Sequence, residues 1–500
     1  MKRIFGRFGA KQMGPGHKVS TGVSGLDNIL HGGLMPNRVY LVEGAAGTGK
    51  TTLGLQFLLD QCAEEEGGNA RVYVTLSQSA AELRTIADSH GFDISGIKIV
   101  ELLAAEVKDR SISQTVLTTS EEELNDLIDK IEEIASSNNP CRLVIDSLSE
   151  LRLMSGSVLR FRRAVLGLAI KLGDMCATTM LIQGLETTQT SNSNELSTHG
   201  TIRLDWKAPD FGVVQRRLQV LKMRGMPFFE GYHDMAIQEG GLEIFPRLVP
   251  ESNPDREVEG WELRSDDETL DALIGGSLPG NGTTLISGDT GAGKSVLSTK
   301  FAHATVKRGI KTSIYLFEEM TDDFLERSKR LGMDLSDPEV RDLVSVEHFN
   351  PVETSQGQLF ATIRDQVRNG TRLVILDSLT GFVRTLRAGG DILPQFNALL
   401  NSLKQLKVAT LMTLNASESH QAGQDEVDFS FLTDNVIRVA YFRQGGKVGR
   451  SIWMAEKRYG PHSREVRSLD IGPEGVRAAE IEGSFNVTRQ TTNEQQSDSF

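Results

Sequence analysis

The chain has 500 residues, 24% of them charged, and a formal net charge of −13. That length exceeds one ordinary core and leaves room for two domains of about 240 residues, while the acidic balance argues against a general nucleic-acid surface, which rests on clustered Lys and Arg. No apolar run approaches the ~18 residues that span a bilayer, and the basic start, residues 1–17, lacks the apolar centre of a secretory signal and reads as a flexible arm.

In chain order, Arg38–Glu43 reads as a short apolar strand entering Gly44-Ala45-Ala46-Gly47-Thr48-Gly49-Lys50-Thr51, and Thr52–Gln61 as the helix that follows. Arg71–Leu76 and Leu143–Ile145 are further strands, the latter ending on Asp146. Cys62, Cys141 and Cys176 show no CxxC spacing and read as buried or reduced thiols of a cytoplasmic protein. Acidic runs at Glu64–Glu66 and Glu121–Glu123 read as solvated helix faces. Late in this half a strand, Arg217–Leu221, leads into Lys222-Met223-Arg224-Gly225.

The pattern then repeats. Gly288-Asp289-Thr290-Gly291-Ala292-Gly293-Lys294-Ser295 lies 244 residues after the first loop, and Leu26-Asp27 and Leu34 recur at the same offset as Leu270-Asp271 and Leu278. Thr283–Ser287, Thr312–Phe317 and Leu373–Leu376, ending on Asp377, repeat the strands. Strands alternating with helices predict an α/β fold of two tandem domains with mainly parallel sheets covered by helices. The expected boundaries are 18–247 and 263–483, with a Pro- and acid-rich linker at 248–262 and a disordered polar tail at 484–500.

Both loops fit GxxxxGK[ST]. Glycines let backbone N–H groups close around phosphate oxygens at the positive end of the next helix. Lys50 and Lys294 are expected to reach the β- and γ-phosphates, and Thr51 and Ser295 to place a hydroxyl on Mg²⁺. Gly44, Gly47, Thr48, Gly49 and Thr52, with Gly288, Gly291, Ala292 and Gly293, complete the nucleotide cradle. Asp146 and Asp377, each followed by Ser-Leu, are placed to back the metal. ATP and Mg²⁺ are the implied ligands.

The halves differ after their second strand. Glu318-Glu319 stands where the first half has Ser77-Gln78, 241 residues earlier, a spacing shared by Gly91 and Gly332. A carboxylate can take the proton of an attacking water or hydroxyl; Ser and Gln cannot. Glu318 and Glu319 are therefore the catalytic candidates, and the first site is expected to bind nucleotide and turn over slowly. Lys222 and Arg224, and Lys457 or Arg458 in Glu456-Lys457-Arg458-Tyr459-Gly460, are candidates to serve a neighbouring subunit's phosphates. The sequence leaves open which of Lys457 and Arg458 acts.

Together these residues resemble the KaiC family of double-domain ATPases within the RecA-like group, over roughly residues 18–480. The resemblance implies a hexamer with ATP bound between subunits, slow hydrolysis, Ser/Thr autophosphorylation in the second domain, a circadian-clock setting and a small regulatory partner of the KaiB type. Where the family has a Glu-Glu pair in its first domain, this chain has Ser77-Gln78. Where the family phosphorylates a Ser-Thr pair before Thr-Asp, this chain has Ser430-Phe431 before Leu432-Thr433-Asp434, leaving Ser430 as the phosphorylation candidate, with Arg443 or Arg458 to hold the phosphate. The alternatives are a DNA-directed RecA-like motor and an ATP-gated scaffold. The loops a motor would use, Thr187–Gly200 and Ala416–Asp428, hold no Arg, Lys or aromatic residue, so neither nucleic acid nor membrane is expected as a partner.

Overall fold

The computed structural model describes residues 18–60, 62, 70–102, 120–175, 177–185, 198–208, 214–247, 260–350, 353–380, 392–415, 429–444, 446–481 and 486–487. The chain divides into two compact units, Met1–Arg247 and Leu248–Phe500. The N-terminal arm, Glu64–Glu66, Cys176, most of the linker, residues 187–197 of the first candidate motor loop and all of the second fall outside the described residues.

The first unit contains α1 (Ser24–Ile29), β1 (Val39–Gly44), α2 (Lys50–Leu59), β2 (Ala70–Thr75), α3 (Ala80–Ser89), β3 (Lys98–Glu101), α4 (Ser120–Asn138), β4 (Pro140–Asp146), α5 (Leu148–Ser155), α6 (Val158–Asp174), β5 (Thr178–Gly184), β6 (Gly200–Lys207), β7 (Gln215–Met223), β8 (Tyr232–Gln238) and β9 (Gly241–Phe245). Its sheet runs β3-β2-β4-β5-β1-β6-β7-β8-β9. The first six strands in that order pair in parallel, and β6 to β9 form an antiparallel meander. The parallel sheet expected from the sequence is thus extended by an antiparallel wing.

Every residue of β1 and β4 is buried, because helices cover both faces. Tyr40, Val42 and Val144 pack with α1 and α2, while Val39, Leu41 and Ile145 pack with α4 to α6. Burying one such side chain contributes about 1.5–3 kcal/mol. The helices begin where a side chain can satisfy their free N–H groups. Ser79 and Glu82 form a reciprocal capping box at α3, and Ser157 caps α6.

Helix α2 ends beside a pair of cysteines. Cys62 and Cys141 lie side by side with a Cα–Cα distance of 6.1 Å, within the span of a disulfide. The two lie 79 residues apart in sequence and meet because β4 runs beneath α2. Next to the pair, Arg142 is 2% exposed. It donates to the carbonyl oxygens of Ser20 and Phe57 at 2.9 and 2.8 Å, pairs with Asp60 at 3.3 Å and lies over the Phe57 ring.

The second unit repeats the plan with β10 (Glu262–Leu263), α7 (Glu268–Leu273), β11 (Leu278–Pro279), β12 (Thr283–Gly288), α8 (Lys294–Lys307), β13 (Thr312–Leu316), α9 (Thr321–Arg330), β14 (Val344–His348), α10 (Gln356–Arg368), β15 (Leu373–Asp377), α11 (Ile392–Gln405), β16 (Ala409–Asn415), β17 (Asn435–Gln444), β18 (Lys447–Lys457), β19 (Arg467–Gly472), β20 (Gly475–Glu480) and β21 (Asn486–Val487). The order β14-β13-β15-β16-β12-β17-β18-β19-β20 matches the first sheet strand for strand. The repeated Leu-Asp dipeptides do the same work in each unit: Asp27 accepts from the N–H and hydroxyl of Thr21, Asp271 from those of Ser265. One detail departs from the expected tail. Asn486 and Val487 pair with Arg443 and Phe442, so the chain adds an edge strand after residue 484, where backbone hydrogen bonds are available without a core of its own.

Candidate nucleotide sites

Each phosphate loop joins the central strand, β1 or β12, to the helix behind it, α2 or α8. The helices start at Lys50 and Lys294, the first of them two residues before the expected Thr52. Their N-caps, Gly49 and Gly293, have φ of 95° and 107°, a region closed to most side chains. The first glycine of each loop is required for a different reason. A Cβ on Gly44 would collide with the carbonyl oxygen of Leu204, and one on Gly288 with that of Val439. An arginine from the adjacent strand anchors each loop: Arg203 pairs with buried Glu43 at 2.6 Å, and Arg438 donates to Ser287 at 3.0 Å.

Within the loops, Lys50 Nζ donates to Ala45 O at 2.7 Å. Lys294 Nζ donates to Gly288 O and Asp289 O at 3.0 and 2.8 Å. Burial lowers the pKa of both lysines, opposed by Asp146 for Lys50 and by Asp377, Asp289 and Glu318 for Lys294. Thr48 donates to Ala45 O. Thr51 Oγ1 donates to Asp146 Oδ2 at 2.9 Å, and Ser295 Oγ to Asp377 Oδ1 at 3.0 Å, so the loop hydroxyl and the strand-end carboxylate predicted from sequence meet in both units. Thr52 and Ala292 are buried beside them.

The donor set fits a magnesium–nucleotide ligand. Asp377 Oδ2 is buried with no hydrogen-bond partner, and burial pushes the Asp377 carboxyl up despite donation from Thr413 and Ser295. Among the described residues no three His, Cys, Asp or Glu gather as a self-sufficient metal site. A cation held by one hydroxyl and one carboxylate must take its remaining ligands from water and phosphates, as Mg²⁺ does.

The backbone aligns the divergent pair. Leu76 N–H donates to Asp146 O and Phe317 N–H to Asp377 O, so Ser77 and Glu318 follow equivalent positions, and both are exposed. The structure separates the two glutamates. Glu319 accepts from Nε and Nη2 on one edge of the Arg327 guanidinium, at 3.0 and 2.7 Å. Glu318 has no such clamp among the described contacts, and its charge reaches Lys294. At Gln78 the backbone is tied instead, its N–H donating to Thr75 Oγ1 and its carbonyl accepting from the same hydroxyl.

Strand register also separates the late basic residues. Thr201 pairs with Lys222 and Gly200 with Met223; Val436 pairs with Glu456 and Asn435 with Lys457. Arg224 N–H donates to His199 O, and Arg458 N–H to Asp434 O. Arg458 is therefore the counterpart of Arg224, and Glu456 replaces Lys222. The Lys457 ammonium is turned inward, donating to Ile274 O and Ser277 O at 2.7 and 3.0 Å, an arrangement at odds with a role on another subunit. The settings differ too. His199 is lowered by burial and by Arg38, Arg224 and Lys222, whereas Asp434 binds Lys404 at 2.8 Å and faces Arg458 at 3.7 Å. Alanine at Lys457 is expected to lower the melting temperature of the second unit and leave phosphate release per folded molecule within about twofold. Alanine at Arg458 is expected to do the reverse, cutting release at least about tenfold with little thermal shift. Malachite-green phosphate assays beside calorimetry check both.

Ser430 opens a one-turn 3₁₀ helix, Ser430–Leu432, just before β17. Arg443 lies near the far end of β17, about 26 Å from its start at ~3.3 Å per residue, so within one chain it is out of reach of Ser430. Arg458 and Lys404 converge on Asp434, four residues after Ser430.

Sequence reasoning missed Arg327, Tyr73 and Thr413. Tyr73 donates to Asp146 Oδ2 at 2.6 Å, and burial beside that carboxylate raises its phenol far above its ordinary range. Thr413 donates to Asp377 Oδ1 at 2.5 Å. A hydroxyl inside an otherwise apolar strand was the available signal.

Comparison with known proteins agrees with this duplicated plan. The KaiC ATPase family profile matches residues 19–249 and 266–483. The circadian clock oscillator protein KaiC of Acaryochloris marina is 24% identical over 489 residues, 94% of this chain and 89% of the relative. That of Synechococcus elongatus is 25% identical over 490 residues, with 94% and 89% covered. The circadian clock protein KaiC2 of a Synechocystis species is 25% identical over 476 residues, 92% and 81%. With both phosphate loops inside the two matched segments, the chain belongs to the KaiC family of ATPases.

Proposed function

We propose that this protein is a KaiC-like regulatory ATPase with unequal domains. The second hydrolyses ATP and phosphorylates Ser430; the first binds ATP and turns it over slowly. The observation that carries this reading is the pair of equivalent exposed positions after the second strand, Glu318 in one unit and Ser77 in the other. Glu318 accepts the proton of the attacking water, or of a Ser430 hydroxyl presented by a neighbouring subunit. Lys294 neutralises charge on the transferring phosphoryl group, and Arg327 fixes Glu319 so that its carboxylate does not compete for that proton. Thr51 and Ser295, backed by Asp146 and Asp377, would hold Mg²⁺, which supplies charge neutralisation at the phosphates when bound.

In this reading Arg224 and Arg458 complete the sites of adjacent subunits in a homo-oligomer, a hexamer by family resemblance, and a small KaiB-like protein is the regulatory partner. ATP then favours assembly, because a ligand that binds the assembled state stabilises it by mass action. Lys50→Ala is expected to shift the ATP-dependent mass measured by light scattering towards monomer more than Lys294→Ala does. An unchanged mass for Lys50→Ala in ATP counts against the first ring as the binding platform.

Incubation with γ-labelled ATP and Mg²⁺ tests the whole reading. Label on the protein and free phosphate in solution are both expected, and Ser430→Ala should abolish the protein-bound label. A phosphoserine there carries about −1.5 to −2 charge and would draw Lys404 and Arg458 from Asp434. Label mapping to Thr433, or label retained in Ser430→Ala, rejects the kinase assignment. Free phosphate alone leaves a plain ATPase; neither product identifies an ATP-gated scaffold.

A further inference from the structure

We infer that Tyr73 and Thr413 are the positioning residues of the two metal-facing aspartates, and that the two domains take this hydroxyl from opposite neighbouring strands. The inference rests on reading both sites as magnesium–nucleotide sites.

In each unit one carboxylate oxygen is filled by two hydroxyl donors. Asp146 Oδ2 accepts from Thr51 and Tyr73 at 2.9 and 2.6 Å. Asp377 Oδ1 accepts from Ser295 and Thr413 at 3.0 and 2.5 Å. Strand β4 lies between β2 and β5, and β15 between β13 and β16. Thr75 pairs with Asp146 and Leu316 with Asp377, so Tyr73 and Ile314, each two residues earlier, are equivalent. On the other side Asp146 pairs with Ile182. Leu376 pairs with Met412, and one step further along these parallel strands Thr413 comes opposite Asp377. The first domain therefore has Tyr73 with Ile182, the second Ile314 with Thr413. Hydroxyl and isoleucine have exchanged sides, and the bond to the aspartate survives the exchange.

The physical effect is on carboxylate rotation. An ionised Asp has about four acceptor directions and can turn about its last bond. A single donor from the phosphate loop would leave that rotation soft. Two donors converging on one oxygen from different elements fix the carboxylate plane and reserve the other oxygen for the metal and its waters. In the second unit that reserved oxygen is the buried, unpartnered Asp377 Oδ2. Removing such an outer hydrogen bond costs about 10–100-fold in metal affinity.

The test uses the full-length protein and a fluorescent, non-hydrolysable ATP analogue titrated with Mg²⁺. A Lys294→Ala background reads the first site, and Lys50→Ala the second. Tyr73→Phe in the first and Thr413→Val in the second are expected to raise the half-saturating Mg²⁺ concentration about tenfold, while analogue binding in EDTA stays within about twofold. Thr413→Ser, which keeps the hydroxyl, should stay within about twofold of the parent, and Tyr73→Phe combined with Ile182→Thr should recover most of the loss by restoring a donor from the other strand. The inference is overturned if the parent shows Mg²⁺-dependent binding and neither single variant changes its Mg²⁺ demand. It is equally overturned if the variants lose binding as much in EDTA as in Mg²⁺, which marks a packing role. A parent whose analogue binding ignores Mg²⁺ would instead reject the underlying reading of the sites.

Discussion

Replacing Glu318 by Gln is expected to remove most of the phosphate release, because losing a general base usually costs about 10²–10⁴-fold at its own site and leaves only the slow first site. The change keeps the shape of the side chain and removes only its ability to take a proton. Ser77→Ala, at the equivalent place in the first unit, should leave total turnover within about twofold, because no proton acceptor is lost. The contrast separates the two sites without dismantling either. Glu319→Gln is a different perturbation, since it weakens the Arg327 clamp. A Glu318→Gln protein that kept more than half of the hydrolysis would move the chemistry elsewhere.

The largest expected stability effect lies at Arg142. Its side chain is almost fully enclosed, yet it bonds the Ser20 and Phe57 carbonyl oxygens and the Asp60 carboxylate. Truncation to Ala would orphan two carbonyls, at about 1–3 kcal/mol for each unsatisfied group, and open a cavity against the Phe57 ring. We expect a loss of about 3–5 kcal/mol for the first unit, read as a lower denaturant midpoint for that unit under oxidising conditions. The loss should be confined there, since the arginine's described contacts all lie in Met1–Arg247. A shift below about 1 kcal/mol would mean that water replaces the guanidinium at both carbonyls.

The readable parts of this sequence were the local ones. A phosphate loop is eight consecutive residues, and the strands entering and leaving it are short apolar runs, so the two α/β units, the lysines and the Thr51–Asp146 and Ser295–Asp377 pairs followed directly. The antiparallel wing was legible only at Arg217–Leu221. Strand β8, Tyr232–Gln238, turns His233, Met235 and Ile237 inward in alternation, but a histidine in that inward row breaks the apolar pattern, and half-buried wing strands carry little hydrophobic signal. Contacts closed by tertiary folding were not legible: Tyr73 reaches Asp146 across 73 positions and Thr413 reaches Asp377 across 36. The choice between Lys457 and Arg458 depended on strand register after an irregularity at Val436/Ile437. A neighbouring-residue pattern cannot display that shift, and the inward turn of Lys457 follows from it.

The charge contrast between the His199 and Asp434 positions has a consequence for self-recognition. A chain that carries two copies of one domain must keep them from docking on each other's surfaces when chains meet. Lys222 and Arg224 make the first copy's edge cationic beside a His199 held towards its neutral form, whereas Glu456 and Asp434 temper Arg458 on the second. A first-domain edge presented to a second-domain pocket would bring surplus positive charge where the pocket is matched to a tempered one, and the reverse mismatch would leave phosphates under-neutralised. In the homo-oligomer proposed above, first domains would then favour first domains and second domains second domains.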